Sequence, residues 1–485
     1  MESMVEVLST YANKQPDRLF AVDQSGNEFT YHEAWLRVRQ AAVFFSENKK
    51  ISQEDKILVE CKQDCWYLLI DLACELAGAV FVPIEENASE DRIRAIWDET
   101  EAVLFIACSG KCPDLTSVSF EEAFSVYGSD RQLHLPRKEA IAEILYTTGT
   151  TGKSKGIVIT NEANVALAEN ILFGVEMKPQ NTELIPIPIS HSHGIRCCYA
   201  NLLNGGTIVL TDGLMNLKNV FRMIEQYSVT AMDVSPSAVQ LLIKVAKGAF
   251  WKYGKQMDYI QIGTAAMPEQ LKEQLVQELP GVRLYNFYGS TESGRSCVLD
   301  FSKENGRKNC IGKPTRNADI ICTDENREKI HATFSNPGLI ASRGKMNMSC
   351  YWKNPELTSK FMRDNFVFTN DLGYIDEEGY VYVLGRKDDV INYNGIKIAP
   401  EEIEEVAVDY PEVTDAACVP YPDRVAGQIP VLYISVRNES LFDKMDYMQF
   451  LRSRVDGNKF PKRVSIIEKI PRTANGKIRR KDLMQ

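Results

Sequence analysis

The sequence predicts an α/β protein with a large N-terminal domain of two βα-rich subdomains plus a distorted β-barrel, followed by a small α+β C-terminal domain. Short apolar strands alternate with amphipathic helices over residues 31–107 and again over residues 183–285, which is the spacing of βαβ units with parallel strands. Residues 311–384 change to short alternating strands with glycine and asparagine breaks, a pattern typical of a barrel-like subdomain. The polar, glycine-flanked run 385–395 then separates a last unit.

The first alternation opens with an amphipathic helix over residues 31–48, where apolar side chains recur at helical spacing and Thr30 or Asn27 is the expected cap. The elements predicted after it are the strand 56–61, the helix 66–78, the strand 79–83, the helix 90–99 and the strand 102–107. This order requires crossover connections, so we expect a parallel sheet.

The second alternation has the same style. Its predicted strands are 183–189, 207–210, 231–234, 257–263 and 282–285, and its predicted helices are 217–227, 236–245 and 268–278. In the C-terminal unit we predict a helix at 400–409, a strand pair near 416–436 and a helix at 442–455. The domains are therefore expected at residues 1–384 and 390–485, joined by a hinge at 385–389.

Composition and charge exclude several classes of protein. The chain has 485 residues, 44% of them hydrophobic and 25% charged, with a net charge of -10. An acidic protein has no bulk attraction for nucleic acid or for an anionic membrane surface. The most apolar stretch contains Asp71 and Glu75, so we predict no membrane span. Because no signal peptide is recognisable and the twelve cysteines form no CxxC pair, we expect reduced thiols and a cytoplasmic location.

The strongest candidate for chemistry is the segment 146–156, Y-T-T-G-T-T-G-K-S-K-G, which lies between two strand-like stretches. Its hydroxyls, glycines and ammonium groups can direct many donors at phosphate oxygens. A Walker A loop requires G-x-x-x-x-G-K-[ST], but here the match would begin at Thr147, and the following residues are strand-like. We therefore predict a phosphate-binding loop that is not a P-loop.

Six further motifs follow in order. They are P-I-S-H-S-H-G at 188–194, N-F-Y-G-S-T-E at 286–292, T-N-D-L-G at 369–373, G-R-K-D-D at 385–389, G-I-K-I-A-P-E-E-I-E at 395–404 and P-R-T-A-N-G-K-I at 471–478. Together with the loop at 146–156 and the pattern at 77–96, they resemble the adenylate-forming superfamily of acyl-CoA synthetases, luciferases and peptide-synthetase adenylation domains. The chain is most similar to an AMP-forming acid–CoA ligase.

The resemblance implies ATP, Mg²⁺ and coenzyme A as ligands, and it implies a set of site residues. The residues implied as catalytic are Lys477, His191, Thr148 and Glu292, with Glu292 also the metal ligand. The residues implied to bind nucleotide or CoA are Thr147, Thr148, Gly149, Thr150, Thr151, Lys155, Tyr288, Gly289, Thr291, Asp371, Arg386 and Gly395, and Asp388 is the implied hinge of a mobile C-terminal domain. The roles fit the chemistry, because two anionic reactants need local cations to bring them together.

Individual roles follow from the same resemblance. Lys477 is expected near the acyl carboxylate and the phosphate, Tyr288 against adenine, and Asp371 on the ribose hydroxyls. His191 is expected beside the acyl pocket and the thiol tunnel, whereas His193 is expected to pack or to cap. The implied pocket walls are residues 191–198, 234–239, 263–267 and 287–296.

The chain departs from the family pattern at three places. Ser154 replaces the frequent proline before Lys155, Asn370 replaces the usual glycine before Asp371, and T-A-A-M at 264–267 stands where many CoA ligases read G-A-P-L. These departures leave the identity of the acid open between aryl and aliphatic compounds.

Two other functions are alternatives to the acid–CoA ligase. The first is a stand-alone adenylation enzyme that loads an aryl or other acid onto the phosphopantetheine arm of a carrier protein. Amino acids are disfavoured, because Ser190 and His191 occupy the place where amino-acid adenylation domains usually carry an aspartate. The second is a scaffold without activity, which is disfavoured because Lys477, Glu292 and Asp371 are all present.

Overall fold

The structure is a computed structural model that describes residues 1–125, 133–148, 154–246, 248–304, 306–394, 396–457, 459–472 and 478–484. The chain forms two compact units. The first unit consists of Met1–Gly306, Ile311–Ile320 and Ser342–Val367, and the second of Arg307–Cys310, Ile321–Ala341 and Phe368–Gln485. The predicted hinge at 385–389 falls within the second unit, and its role as a domain boundary stays a prediction. No helix among the described residues is both long and apolar enough to cross a membrane.

The N-terminal part of the first unit contains, in the predicted order, the helices and strands expected over residues 31–107, together with further elements on either side of them. These are α1 (Met4–Lys14), β1 (Leu19–Asp23), β2 (Glu28–Thr30), α2 (Tyr31–Val43), β3 (Lys56–Glu60), α3 (Cys65–Ala77), β4 (Val80–Ile84), α4 (Glu90–Thr100), β5 (Leu104–Ile106), β6 (Ser117–Val118), α5 (Phe120–Ala123), β7 (Ile141–Thr148) and β8 (Ser154–Thr160). Of the two expected caps, Thr30 caps α2 in a reciprocal capping box with Glu33, and a π-helical turn at Phe44–Asn48 follows the helix.

The second βα-rich part contains the strands and helices predicted over residues 183–285, and also two helices and a strand that the pattern did not predict. Its elements are α6 (Asn161–Gly174), β9 (Thr182–Ile185), α7 (Ser192–Asn204), β10 (Thr207–Leu210), α8 (Leu217–Gln226), β11 (Ala231–Val234), α9 (Pro236–Ala246), β12 (Tyr259–Ile262), α10 (Glu269–Glu278), β13 (Arg283–Ser290) and β14 (Gly294–Asp300). A 3-10 turn lies at Trp251–Tyr253.

The remaining elements are mostly short strands, and then a small α+β unit. They are β15 (Cys310–Pro314), β16 (Asp319–Thr323), β17 (Gly338–Arg343), β18 (Cys350–Tyr351), α11 (Pro355–Phe361), β19 (Met362–Arg363), β20 (Phe366–Ile375), β21 (Val381–Arg386), β22 (Ile391–Tyr393), β23 (Ile396–Ile398), α12 (Pro400–Val408), β24 (Val413–Asp423), β25 (Gly427–Val436), α13 (Lys444–Arg452) and β26 (Arg463–Ile466). Two 3-10 turns lie at Glu439–Leu441 and Arg480–Leu483.

Two sheets form the frame of the first unit. One has the strand order β18-β8-β7-β4-β3-β5-β6, with β3, β4 and β5 parallel and β8 returning antiparallel to β7. In the other, β1, β10, β9, β11, β12 and β13 run parallel, and β2 and β14 add antiparallel strands at either side. The predicted parallel strands are confirmed, as βαβ crossovers require.

One predicted strand is longer than the observed one. The pattern predicted residues 183–189, but β9 ends at Ile185. The side-chain amide of Gln63 donates to the Ile187 carbonyl at 3.0 Å and accepts from the Ile189 N–H at 3.0 Å. The backbone groups of residues 187 and 189 are therefore hydrogen-bonded to a side chain. In a β-strand they would be hydrogen-bonded to a neighbouring strand.

The largest core of the first unit collects α1, α2, α3, α6 and α7 with inward-facing side chains of both sheets, for example Phe81 of β4 and Ile208 of β10. Two carboxylic acids of α3 lie inside it. The Asp71 carboxylate accepts from the Tyr199 hydroxyl, and the Glu75 carboxylate accepts the N–H groups of Met4 and Val5 at 3.0 and 2.8 Å. Glu75 thus caps the first turn of α1, where N–H groups have no partner within the helix.

Burial raises the pKa of Asp71 and of Glu75 to about 8 in both cases. A folded-state pKa above the unfolded value means that the folded chain binds more protons between those two values. The contribution of Glu75 to the free energy of unfolding is therefore greatest below about pH 4.5, its ordinary pKa, and falls as the pH rises through about 8.

The second unit places β16, β17, β20 and β21 side by side, and it holds a second sheet of order β23-β22-β25-β24 with β26 beside β25. Helices α12 and α13 cover this second sheet with a core that includes Ile403, Tyr447 and Leu451. The buried Arg480 guanidinium pairs with Glu404 and Glu401 and donates to the Cys418 carbonyl at 2.9 Å. These contacts attach the described C-terminal residues to α12 and β24.

Glu75→Ala is expected to lower the free energy of unfolding by about 2–4 kcal/mol, because two buried N–H donors lose their acceptor and each costs about 1–3 kcal/mol. Urea denaturation gives the free energy, and hydrogen exchange of the Met4 and Val5 amides gives the local effect. Glu90→Ala, an exposed acid in the first turn of α4, is the control and should change stability by less than about 0.5 kcal/mol. Equal losses in the two variants would contradict the capping role.

Candidate active site

The phosphate-loop motif is flanked by the antiparallel pair β7 and β8. Thr147 lies opposite Lys155 in this pair, and Tyr146 lies opposite Gly156. A Cβ at Gly156 would lie 3.0 Å from side-chain atoms of Ile144 and Trp352, so the strands pack closely at that point. Gly149, Thr150 and Thr151 lie outside the described residues, as do the side chain of Thr148, Gly395 and Lys477.

Lys155 and Glu292 contact the same aromatic residue. The Lys155 ammonium lies 5.5 Å from the ring centroid of Tyr351 and 5.1 Å from that of Phe361, within the range of a cation–π interaction. The Tyr351 hydroxyl donates to the Glu292 carboxylate at 3.0 Å. Because Tyr351 pairs with Ile157 of β8, the strand that carries Lys155 also fixes the ring. The structure therefore brings together a predicted phosphate-binding lysine and the predicted metal ligand.

The motif at 286–292 forms a tight turn between β13 and β14. A Cβ at Gly289 would lie 1.9 Å from the Gly294 carbonyl oxygen, so only glycine fits there. The Met348 N–H donates to the Glu292 carbonyl at 2.8 Å, which fixes the backbone beneath the carboxylate. Tyr288, Thr291 and Glu292 are half-buried, so part of each side chain stays accessible.

His191 stands immediately before helix α7, where it is the N-cap residue, although its side chain does not cap the helix. A Cβ at Gly194 would lie 2.5 Å from the Pro188 carbonyl oxygen, which explains the glycine of the motif. Burial lowers the pKa of His191, the Glu85 carboxylate opposes this, and Arg92 and His193 lower it further. His191 is therefore neutral at pH 7. One of its ring nitrogens then carries an N–H donor, and the other has a lone pair that can accept a hydrogen bond.

His193 belongs to a buried polar network beneath this region. Its Nε2 lies 2.8 Å from an Asp233 carboxylate oxygen, and its ring contacts the Phe287 ring edge-on with 4.9 Å between centroids. The Cys197 thiol donates to the other oxygen of Asp233. The Arg295 guanidinium lies 3.6 Å from the Phe287 ring centroid and 3.8 Å from the Cys197 sulfur.

Three atoms of this network meet the geometry of a metal site. His193, Cys197 and Asp233 each offer a ligand atom, and these atoms lie within 4.8 Å of one another. They are, however, hydrogen-bonded to one another, and the Arg295 cation lies beside the cysteine. We therefore interpret the cluster as a hydrogen-bonded support for Phe287.

The segment 263–267 contacts the same aromatic ring. A Cβ at Gly263 would lie 2.2–2.6 Å from three atoms of the Phe287 ring. The next residue, Thr264, has a φ of 76°, which is strained for a β-branched residue. This is the first residue of T-A-A-M, where the family pattern has glycine. The departure noted in the sequence therefore puts a side chain on a backbone that suits glycine.

The second unit positions the remaining described site residues. Asp371 of β20 lies opposite Arg386 of β21, and the Arg386 Nε is 3.7 Å from an Asp371 carboxylate oxygen. Asn370, the other departure, donates from its side-chain amide to Asp388 at 3.2 Å, and its carbonyl accepts the Lys387 N–H at 2.7 Å. Asn370 thus contacts the predicted hinge residue directly.

Residues 8–352 match the family described as AMP-binding enzyme, and residues 402–477 match the family described as AMP-binding enzyme C-terminal domain. The chain belongs to the AMP-binding enzyme family. The resemblance predicted from the motifs is confirmed.

Relatives of this AMP-binding enzyme are named as CoA ligases. A probable CoA ligase from Humulus lupulus is 28% identical, over 95% of this chain and 88% of that protein. The 2-succinylbenzoate–CoA ligase from Bacillus cereus is 26% identical, over 100% of this chain and 99% of that protein. The structure of o-succinylbenzoate CoA synthetase from Bacillus subtilis with its acyl-adenylate intermediate superposes with a TM-score of 0.88 at 21% identity, over 99% of this chain and 98% of that one. The last match confirms the predicted fold class.

Several residues of the site were not predicted individually, although Glu85 and Arg92 lie in the pattern at 77–96 and Arg295 lies in the implied pocket wall 287–296. Tyr351, Asp233, Arg295, Arg92 and Glu85 each contact a predicted site residue or its support. Asp233 had a signal of its own, because an acid inside the apolar strand 231–234 marks a buried partner. The other residues come from distant segments whose side chains meet only in the folded chain.

Thr264→Gly is expected to raise the free energy of unfolding by about 1 kcal/mol, because glycine adopts a positive φ without strain. Thermal and urea denaturation measure the change. Thr264→Ala is the matched control, since it keeps a Cβ and therefore most of the strain. A gain of the same size in the alanine variant would show that the backbone conformation is not the cause.

Proposed function

We propose that this AMP-binding enzyme is an AMP-forming acid–CoA ligase with its ATP site at the β7–β8 and β13–β14 turns of the first unit. The observation that carries the proposal is the placement of Lys155 and Glu292 on either side of Tyr351, next to the phosphate-loop motif. A cation and a carboxylate in that arrangement suit a triphosphate and its counter-ion. The relatives described above, which are named as CoA ligases, support the reaction class.

The reaction has two steps. An oxygen of the carboxylic acid attacks the α-phosphorus of ATP, the bond to the bridging oxygen breaks, and pyrophosphate leaves with the bonding pair. The thiol of CoA, after losing its proton, then attacks the acyl carbon and AMP leaves. Both steps concentrate negative charge at phosphate oxygens, so cations that are already in place lower the barrier.

The residues divide this work. Lys155 holds the phosphates, Asp371 and Arg386 hold the ribose and phosphate, and Tyr288 packs on adenine. Lys477, assigned from its motif alone, neutralises the acyl carboxylate and α-phosphate in the first step. His191 stands where the acyl group and the thiol meet, and its neutral form leaves a ring nitrogen able to accept a hydrogen bond.

Mg²⁺ is part of the proposal. The Glu292 carboxylate fits it, because this half-buried group offers the oxygen ligands that a hard cation prefers and is oriented by the Tyr351 hydroxyl. When bound, the ion would neutralise phosphate charge. A structure of o-succinylbenzoate CoA synthetase from Bacillus subtilis, 21% identical with a TM-score of 0.87, was determined with ATP and magnesium ion.

We propose that the acid is accepted against Phe287. The ring is contacted by Gly263, His193 and Arg295, and because it is half-buried, its exposed part could pack against an aryl acid. Relatives named for 4-coumarate and for 2-succinylbenzoate, both aromatic acids, support this preference. Because another relative is named for a different acid, OPC-8:0, aliphatic acids stay in the range to be tested.

CoA is the proposed acceptor, and the phosphopantetheine arm of a carrier protein is the alternative. We also propose a cytoplasmic location, supported by twelve cysteines that are all free thiols. Asp388, held by Asn370, is proposed as the hinge about which the C-terminal residues turn between the two steps.

Purified enzyme with ATP and Mg²⁺ is expected to release pyrophosphate with at least one acid of an aryl and aliphatic panel, and to form the acyl-CoA only when CoA is added. Lys477→Ala should slow pyrophosphate release by about 100-fold or more, while Lys481→Ala, in the same basic stretch, should retain activity. Release of pyrophosphate that never yields a CoA thioester would contradict the ligase and favour a carrier-protein acceptor.

Tyr351→Phe is expected to raise the KM for MgATP about three- to tenfold, since it removes the hydroxyl that orients Glu292 and keeps the ring beneath Lys155. Steady-state kinetics at varied MgATP measure the change. Tyr227→Phe is the matched control, because the Tyr227 hydroxyl also donates to a carboxylate, that of Glu28 at 2.6 Å, away from these residues. An effect of equal size in both variants would contradict the assignment.

A further inference from the structure

Arg92 makes a set of charge-assisted hydrogen bonds beside the phosphate-loop motif. Its Nε and one terminal nitrogen donate to the two carboxylate oxygens of Glu85 at 3.0 and 2.8 Å. Its other terminal nitrogen donates to the hydroxyl of Ser154, the first residue of β8. The Arg92 side chain is only 21% exposed, so this geometry is constrained more than that of a surface ion pair.

The fold presents Arg92 and Glu85 at this place. Glu85 follows β4, and β4 is the neighbour of β7 in the sheet. Arg92 is the third residue of α4, whose first turn is capped when the Ser89 hydroxyl accepts the Arg92 N–H. The Arg92 side chain has little conformational freedom, because its backbone is fixed in the capped turn and its guanidinium is bonded to both oxygens of Glu85.

Two adjacent residues of β8 are held from opposite sides. Side chains of successive strand residues point to opposite faces. Ser154 is held by Arg92 on one face, and Lys155 lies over the rings of Tyr351 and Phe361 on the other. Together these contacts resist rotation of the strand where it begins.

We infer that Arg92 is a positioning residue for ATP: by holding Ser154, it fixes the direction in which Lys155 presents its ammonium to the triphosphate. The inference rests on the proposed ATP site and adds to it a residue to which the motifs assign no role. Glu85 takes part by holding the guanidinium in its orientation. Arg92 itself contacts neither the acid nor CoA in this assignment, so its effect should be specific to ATP.

The direct test is the binding of a non-hydrolysable ATP analogue with Mg²⁺, measured by titration calorimetry, which requires no knowledge of the acid. Arg92→Ala is expected to raise the Kd about tenfold, the scale of one charge-assisted hydrogen bond. Arg92→Lys keeps the charge but loses the two-pronged geometry, so its Kd should lie between that of the parent and that of Arg92→Ala. Ser154→Ala should weaken binding to a similar extent, and the double variant should be no weaker than Arg92→Ala alone.

Arg94→Ala is the matched control. Arg94 lies two residues along α4, and its guanidinium makes a two-pronged pair with Asp114, both distances 2.6 Å, at the surface. Its removal should leave the Kd within twofold of the parent. An unchanged Kd in Arg92→Ala or Ser154→Ala, or an equal increase in Arg94→Ala, would overturn the inference. If Arg92→Ala does not fold, Arg92→Lys and Ser154→Ala decide the result.

The two proposals fail separately. If no acid in the panel supports pyrophosphate release but the ATP analogue binds and Arg92→Ala weakens it, the ligase assignment fails and the positioning role stands. If acyl-CoA forms normally and the KM for ATP is unchanged in Arg92→Ala, the ligase stands and the positioning role fails. A rise in the KM for the acid equal to that for ATP would also contradict the role, because the inferred effect is confined to the nucleotide.

Discussion

The antiparallel return of β8 onto β7 is the constraint on which the described part of the site depends. β7 is the neighbour of the parallel strand β4, and β8 carries Lys155 and pairs with β18, which supplies Tyr351. The Tyr351 hydroxyl also donates a hydrogen bond to Glu292, which lies in the turn between β13 and β14 of the other sheet. A change in the β7–β8 register would turn Lys155 to the opposite face.

The local need for cations explains how an acidic chain binds anionic ligands. With a net charge of -10, the protein gains nothing from long-range attraction. The cations near the motif are instead individually held: Lys155 by aromatic rings and Arg92 by the Glu85 carboxylate. Because these cations are already held in place, their side chains need to reorganise little when the phosphates bind.

Most of the fold of the first unit could be predicted because its strands and helices alternate with clear periodicity. Strands such as 207–210 and 231–234 were predicted with the bounds that the structure shows. The strand 183–189 was predicted too long, since periodicity does not reveal that Gln63 takes the hydrogen bonds of residues 187 and 189. The motifs identified the site residues but not the side chains that hold them in place. Arg92 and Tyr351, for example, contact site segments that are far away in the sequence.

The contact of Gln63 also has a consequence for the order of folding. Its partners in the loop before His191 lie more than 120 residues further along the chain, at sequence separations of 124 and 126. Contacts so distant in sequence form late, after the entropy of closing the intervening chain has been overcome. The N-terminal βαβ unit that carries Gln63 is synthesised first. We therefore expect the loop before His191 to reach its final conformation only when it packs against that unit and bonds to the Gln63 amide.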